Sequence, residues 1–252
     1  MPTIPLIRSK FLSAFPNIVF AMSTRQGADD GSPFGFNLGF DTGDDPDRVE
    51  SHLRRFLETV GLAPDEIAFM EQVHETRIAV AVEGGEYPAC DALCTDMPRI
   101  GLAVRTADCF PVFLYDPKKR ALAAIHAGWR GTAGGIVSRT VAEMTERYGV
   151  DPSALVAFIG PGAGPCCYEV GPDVASLFPA DLISVSEGER AHLDLRTAIV
   201  RGLTDMGVRP ERIEAEDLCT ICTPSLFHSH RRDGPSAGRM LGVIAMIDEP
   251  VL

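Results

Sequence analysis

Short aliphatic runs set the tightest limit on how this chain can fold. RIAVAV, IGLAVR, PVFLY, ALAAI and VAFIG are five or six residues each. Segments this short and this rich in aliphatic residues read as strands. NIVFAMSTRQG reads as a strand running into a loop, and ERIEAEDLC and RMLGVIAMI as late strands. Three segments carry the helical period instead. In PDRVESHLRRFLETVG, Val49, Leu53, Phe56, Leu57 and Val60 make one apolar stripe. Asp45 suits the cap, Pro46 the first turn and Gly61 the C′ position. His52 lies beside that stripe and is expected to have no chemical role. AGGIVSRTVAEMTERYG and LDLRTAIVRGLTDMG are the other two helices, while GADDGSPFGFNLGFDTGDDP is irregular. Strands and helices mix without a βαβα rhythm, which predicts a mixed-sheet α+β fold. There is no internal repeat, low-complexity stretch or linker, so a single domain over 1–252 is expected.

Charge and cysteine usage narrow the partners. A net charge of −12 over 252 residues argues against nucleic acid or an anionic membrane as partner. A small anionic substrate stays open, because a few arginines can make a positive pocket in an acidic protein. MPTIPLIRSKFLSAFPN lacks the continuous apolar core of a secretory signal, and no run approaches the length of a membrane span. Seven cysteines cannot all pair within one chain, so reduced thiols and a cytoplasmic protein are expected.

His74, Cys109 and His126 are the main candidates for chemistry. Cys109 precedes PVFLY and His126 follows ALAAI, at strand ends where α/β proteins place reactive groups. Two imidazoles and a thiolate suit zinc, with a fourth position left for water or substrate. Each of the three is equally a residue type that packs into cores. HAGWRGTAGG joins His126 to the second helix. It reads either as a tight strand-to-helix turn or as an anion cradle at a helix start, with Arg130 favouring the latter. FHSHRRDGPSAGR offers His228, His230, Arg231, Arg232, Asp233 and Arg239, but its composition fits a solvated basic loop. Cys219 and Cys222 form a lone CxxC, Cys90 and Cys94 a CxxxC, and Cys166 and Cys167 are adjacent. None repeats a finger spacing, so these cysteines are expected to serve as small hydrophobes and the chain to hold about one zinc. HxE with PCxxC, GxSxG and HExxH are all absent.

STRQG, PFGFNLG, QVH, TADC, HAGWRG, GPGAGPCCYEVG and HSHRRDG, in that order from about Ser23 to Met246, resemble the YfiH-type, laccase-domain proteins. That family is described as purine nucleoside phosphorylases with side activities. The resemblance implies a layered α/β/β/α sandwich and zinc on His74, Cys109 and His126, which are also the catalytic candidates. It implies phosphorolysis of adenosine, inosine and methylthioadenosine, with adenosine deamination beside it. Purine nucleosides and phosphate are the implied partners, and a homodimer is left open. Arg25, Asn37, Gln72 and Arg130 lie in the matching motifs and are the expected substrate contacts. The family often has aromatic residues where this chain has His228-Ser-His230. Copper-dependent polyphenol oxidation has been attributed to some members, so copper is the alternative metal. A multi-copper laccase needs many more imidazoles than the six histidines here. Two other readings remain. One is a metal-free cysteine hydrolase or amidase acting on peptidoglycan precursors, with Cys109 as nucleophile and His126 or His74 as base. The other is a metal-binding protein without catalysis.

Overall fold

The aliphatic runs pair into two six-stranded sheets in a computed structural model that describes residues 3–28, 31–185 and 190–248. The centre of the second sheet is the antiparallel pair Phe110–Asp116 and Ala121–Ala127, in register from Phe110 opposite Ala127 to Asp116 opposite Ala121. Every residue of both strands is buried, as expected for strands covered on both faces. The Asp116 carboxylate accepts the Lys118 and Lys119 N–H groups and so closes the turn between them. Around this pair the order is Ile213–Ala215, Val156–Ile159, Phe110–Asp116, Ala121–Ala127, Ala92–Thr95 and Ile78–Val80. The first sheet runs Leu6–Ile7, Ile18–Ser23, Met240–Met246, Gly101–Thr106, Ile67–Met70 and Gly85–Tyr87. Both sheets mix parallel and antiparallel pairs. The strand from NIVFAMSTRQG is Ile18–Ser23, and RMLGVIAMI supplies Met240–Met246.

The sheets stack face to face. Phe20 of the first sheet meets Phe113 and Phe158 of the second edge-on, with ring centroids 5.0 and 4.9 Å apart, an arrangement that aromatic quadrupoles favour. Gly242 lets the sheets come this close, since a Cβ there would lie 2.6 Å from the Phe113 ring. Helices cover the two outer faces. Phe56, Leu57 and Val60 of Pro46–Val60 pack on Val19, Ala21, Ala103 and Val243 of the first sheet. Val137, Val141 and Met144 of Ile136–Tyr148, with Ile199 and Leu203 of Leu195–Asp205, pack on Val112, Leu114 and Ile125 of the second. The result is the layered α/β/β/α sandwich with mixed sheets.

Helix ends follow the local chemistry. Asp45 accepts the Asp47 N–H and Gly61 closes the first helix with φ 75°, as a left-handed C′ position requires. The second helical segment forms the helix Ile136–Tyr148, as expected, and Gly135 at φ 77° separates it from a single turn, Trp129–Ala133, in the preceding HAGWRGTAGG. A small three-stranded sheet of Glu169–Val170, Ala191–Leu193 and Ile183–Ser184 lies beside the second helical layer. No helix among the described residues is long and apolar enough to cross a membrane.

Candidate metal centre and its cavity

Two loops that pass from one sheet to the other bring the predicted ligands together. His74 lies between Ile67–Met70 of the first sheet and Ile78–Val80 of the second. Cys109 lies between Gly101–Thr106 of the first and Phe110–Asp116 of the second. His126 is in the strand Ala121–Ala127, opposite Pro111. The ligand atoms of all three fall within 4.8 Å of one another, and the two imidazole rings meet at 81° with centroids 4.8 Å apart. Gly128 makes the space: a Cβ there would sit 2.9 Å from the Cys109 sulfur and 3.5 Å from the His74 ring.

Asp91 organises this group, and nothing singled it out in the sequence. Its carboxylate is fully buried and accepts the N–H groups of Val73, His74 and Glu75 at 3.2, 2.9 and 2.8 Å. It also accepts Nδ1–H of His126 at 2.8 Å. That bond fixes the His126 tautomer and leaves Nε2 to face Cys109, the arrangement by which carboxylates orient metal-binding imidazoles. The three N–H donors hold the loop carrying His74 in place, with His74 itself at φ 61°. A non-glycine residue held at positive φ is a conformation the surroundings must enforce. A lone acid inside the apolar ACDALCT run was the available sequence signal.

Electrostatics favour the ionised thiol. Burial alone would raise the Cys109 thiol, but the charge and hydrogen bonds of His126, with those of His74, bring it down to about 6. Burial opposes protonation of His126 likewise, and the Cys109 thiolate and Asp91 overcome it, raising that imidazole to about 9. A thiolate, two nitrogen donors and a carboxylate behind one of them fit a borderline-soft ion such as zinc, with copper also suited to the donor set.

The centre opens into a cavity of about 900 Å³. Phe40, Phe69, Trp129 and Tyr168 give it aromatic walls, and Arg105, Arg130, Arg231 and Arg239 give it positive charge. Three of these arginines are engaged. Arg105 donates to the Leu38 carbonyl and stacks on Phe69 at 4.5 Å. Arg231 donates to the Glu169 carbonyl, and Arg239 to those of Ala237 and Gly238. The Arg130 guanidinium stacks on Trp129 at 4.4 Å and makes no hydrogen bond or ion pair with a described residue.

The expected substrate contacts separate sharply. Arg130 and Gln72 line the cavity. Both ends of the Gln72 amide, however, are tied to the Arg105 backbone, at 2.8 and 2.9 Å. Arg25 and Asn37 do not line it. Arg25 reaches the Pro224 carbonyl and lies 3.9 Å from Asp233. Asn37 is fully buried, donating to Gly39, Thr42 and Asp44 and accepting from Gly39 and Arg239, so it braces the loop. The solvated-loop reading of FHSHRRDGPSAGR is corrected. His228 is buried against the Phe36 carbonyl, and burial pushes its imidazole down to about 4. Arg232 donates to the carbonyls of Thr220, Ile221 and Phe227, while His230 and Arg231 reach the cavity. His52 is buried with Nδ1 3.1 Å from the Asn37 carbonyl and has no place at the centre.

A family model described as multi-copper polyphenol oxidoreductase laccase matches residues 19–247. The chain belongs to that family. Its curated relatives are named for a different chemistry. A purine nucleoside phosphorylase of Corynebacterium glutamicum is 38% identical over 231 residues, spanning 88% of this chain and 92% of its own length. A purine nucleoside phosphorylase of Deinococcus radiodurans is 38% identical over 250 residues, spanning 97% and 94%. Among solved structures, YlmD from Geobacillus stearothermophilus superposes with a TM-score of 0.91 at 30% identity, over 98% of each chain. YfiH of Bacillus licheniformis gives 0.87 at 31% identity, over 91% of this chain and 92% of that one. The family's layered fold and mixed sheets are those described above.

Proposed function

We propose that this chain is a purine nucleoside phosphorylase working at one zinc ion held by His74, Cys109 and His126. The carrying observation is that this three-ligand set opens into a cavity whose wall presents an unpaired arginine, Arg130, beside aromatic rings. The names of the relatives point to the same chemistry.

In this reading a phosphate oxygen forms a bond to the anomeric carbon of ribose as the carbon–nitrogen bond to the purine breaks. The bonding pair leaves with the base, which takes up a proton, and ribose 1-phosphate and free purine result. Arg130 holds the phosphate through its planar donor fork. Phe40, Phe69, Trp129 and Tyr168 offer faces for the purine. Asp91 keeps His126 in the tautomer that presents Nε2 to the ligand position. When bound, the metal supplies a positive charge that can orient an anion or lower the pKa of a water. Adenosine, inosine and methylthioadenosine are the proposed substrates, with adenosine deamination as a side activity.

Inosine and phosphate should give hypoxanthine and ribose 1-phosphate, with the rate collapsing when phosphate is withheld. Free ribose as product, with no response to phosphate, overturns the reading. Ammonia release from adenosine tests the side activity. A second reading rests on the row Asp91–His126–Cys109, which also resembles an oriented base beside a thiolate nucleophile. Retained activity towards amides in chelated, metal-free protein would favour that cysteine hydrolase instead.

A further inference from the structure

Six of the seven cysteines belong neither to the centre nor to its cavity. Cys90 and Cys94 are buried and meet the expectation of small hydrophobes, on opposite faces of one sheet. Cys166, Cys167, Cys219 and Cys222 do not. Cys166 and Cys222 are exposed and Cys167 half-buried, yet all four sulfurs lie within 4.8 Å of one another. Two turns distant in sequence make the cluster. In one, the Cys167 and Tyr168 N–H groups bond back to the Gly164 carbonyl. In the other, Thr220 N–H bonds to the Gly162 carbonyl, and Cys219 bridges to Gly162.

We propose that Cys166, Cys167, Cys219 and Cys222 hold a second zinc ion in a closed, structural four-thiolate site. Metal–sulfur bonds of about 2.3 Å in a tetrahedron set sulfur–sulfur edges of about 3.8 Å. The Cys166 and Cys222 sulfurs are 3.7 Å apart. A disulfide needs about 2.05 Å. The ligand set is all soft thiolate, with no carboxylate or imidazole in it, which suits zinc and not a hard cation. The backbone is arranged for thiolate too. Cys219 sulfur accepts the Gly164 N–H at 3.3 Å, and the Ile221 and Cys222 N–H groups, two and three residues on, also favour its thiolate. Such N–H groups spread the negative charge of a ligating sulfur, as outer hydrogen bonds do around metal ligands generally. Gly164 gives the approach its room, because a Cβ there would lie 3.2 Å from the Cys219 Cβ.

The site would fasten two walls of the cavity. Tyr168, next to Cys167, lines it. Thr220, next to Cys219, donates to the Asp108 carboxylate at 2.6 Å, and that carboxylate also accepts the Arg231 N–H at 2.7 Å. Asp108 adjoins the ligand Cys109, so the cluster is tied to the main centre through one side chain.

Elemental analysis of the full chain, purified without chelator, tests the proposal. The wild type should hold about two zinc ions per chain, and Cys109→Ala and the Cys166→Ser/Cys222→Ser pair about one each. Cobalt titration of metal-stripped Cys109→Ala leaves the four thiols untouched, so it does not depend on the serine variant folding. It should show the intense sulfur-to-cobalt bands and tetrahedral visible spectrum of a four-thiolate ion. A wild type with about one zinc, all of it lost in Cys109→Ala, overturns the proposal. An intact mass lighter by a pair of hydrogens, with these cysteines closed to alkylation and no second zinc, assigns a disulfide and overturns it as well.

Discussion

The two cysteine-containing clusters differ in how they are supported. His74, Cys109 and His126 come from three separated segments and depend on a buried carboxylate, Asp91, for their orientation. They stop at three ligands and face a cavity. Cys166, Cys167, Cys219 and Cys222 come from two turns and are supported by backbone N–H groups, at a partly exposed place off the cavity. Three ligands with side-chain support and an open position are the marks of a working site. Four ligands of one type on backbone support are the marks of a fastening. The comparison teaches that ligand count and what stands behind the ligands separate the two, whereas cysteine number alone does not.

Substitutions at the two clusters should break this contrast if it is wrong. The largest effect is expected from Cys109→Ala, which should lower nucleoside turnover to background and remove the metal of the open centre. Turnover near wild type in that variant would reverse the roles of the clusters. Asp91→Asn comes next. It keeps the shape but removes the charge behind His126, and should weaken zinc at the open centre by about 10–100-fold, read by competition with a chromophoric chelator. Excess zinc should restore much of the activity, which a general folding defect would not allow.

Smaller effects sharpen the cavity side of the comparison. Arg130→Lys keeps the charge and loses the fork, so KM for phosphate should rise about tenfold, equivalent to about 1.4 kcal/mol. KM for inosine should stay within about twofold, since the aromatic walls are unchanged. Arg25→Lys, outside the cavity, should leave both constants unchanged, and a shift in phosphate KM there would return Arg25 to the site.

The legible parts of this fold were those fixed by local pattern. Asp45, Pro46 and Gly61 mark the ends of the first helix within the chain itself, and the structure uses each as its chemistry suggests. The runs PVFLY and ALAAI are short, continuous and apolar, and both are strands buried throughout at the centre of the second sheet. Ala92–Thr95 and Ile67–Met70 escaped because their strand character comes from neighbours across the sheet, not from their own short sequences. The candidate ligands His74, Cys109 and His126 were visible because their residue types were out of place beside apolar strands. Asp91, Tyr168 and the meeting of Cys166–Cys167 with Cys219 and Cys222 were not, because each depends on segments brought together only by folding. Asn37 shows the opposite error. A polar residue in a distinctive motif looked like a substrate contact, and its hydrogen bonds are spent on its own loop and on the Arg239 backbone that the loop packs against.

The passages of the chain between the two sheets carry a mechanical consequence. Residues 107–109 are the whole connection between Gly101–Thr106 in one sheet and Phe110–Asp116 in the other, and Cys109 is the last of them. Residues 71–77 make another of the crossings and carry His74, while His126 stays with the second sheet. A connection this short has no slack, so sideways shear between the sheets must load residues 107–109, Cys109 among them. A metal ion held by His74, Cys109 and His126 would therefore rivet the sandwich, tying the stiffness of the whole to the alignment of these three side chains.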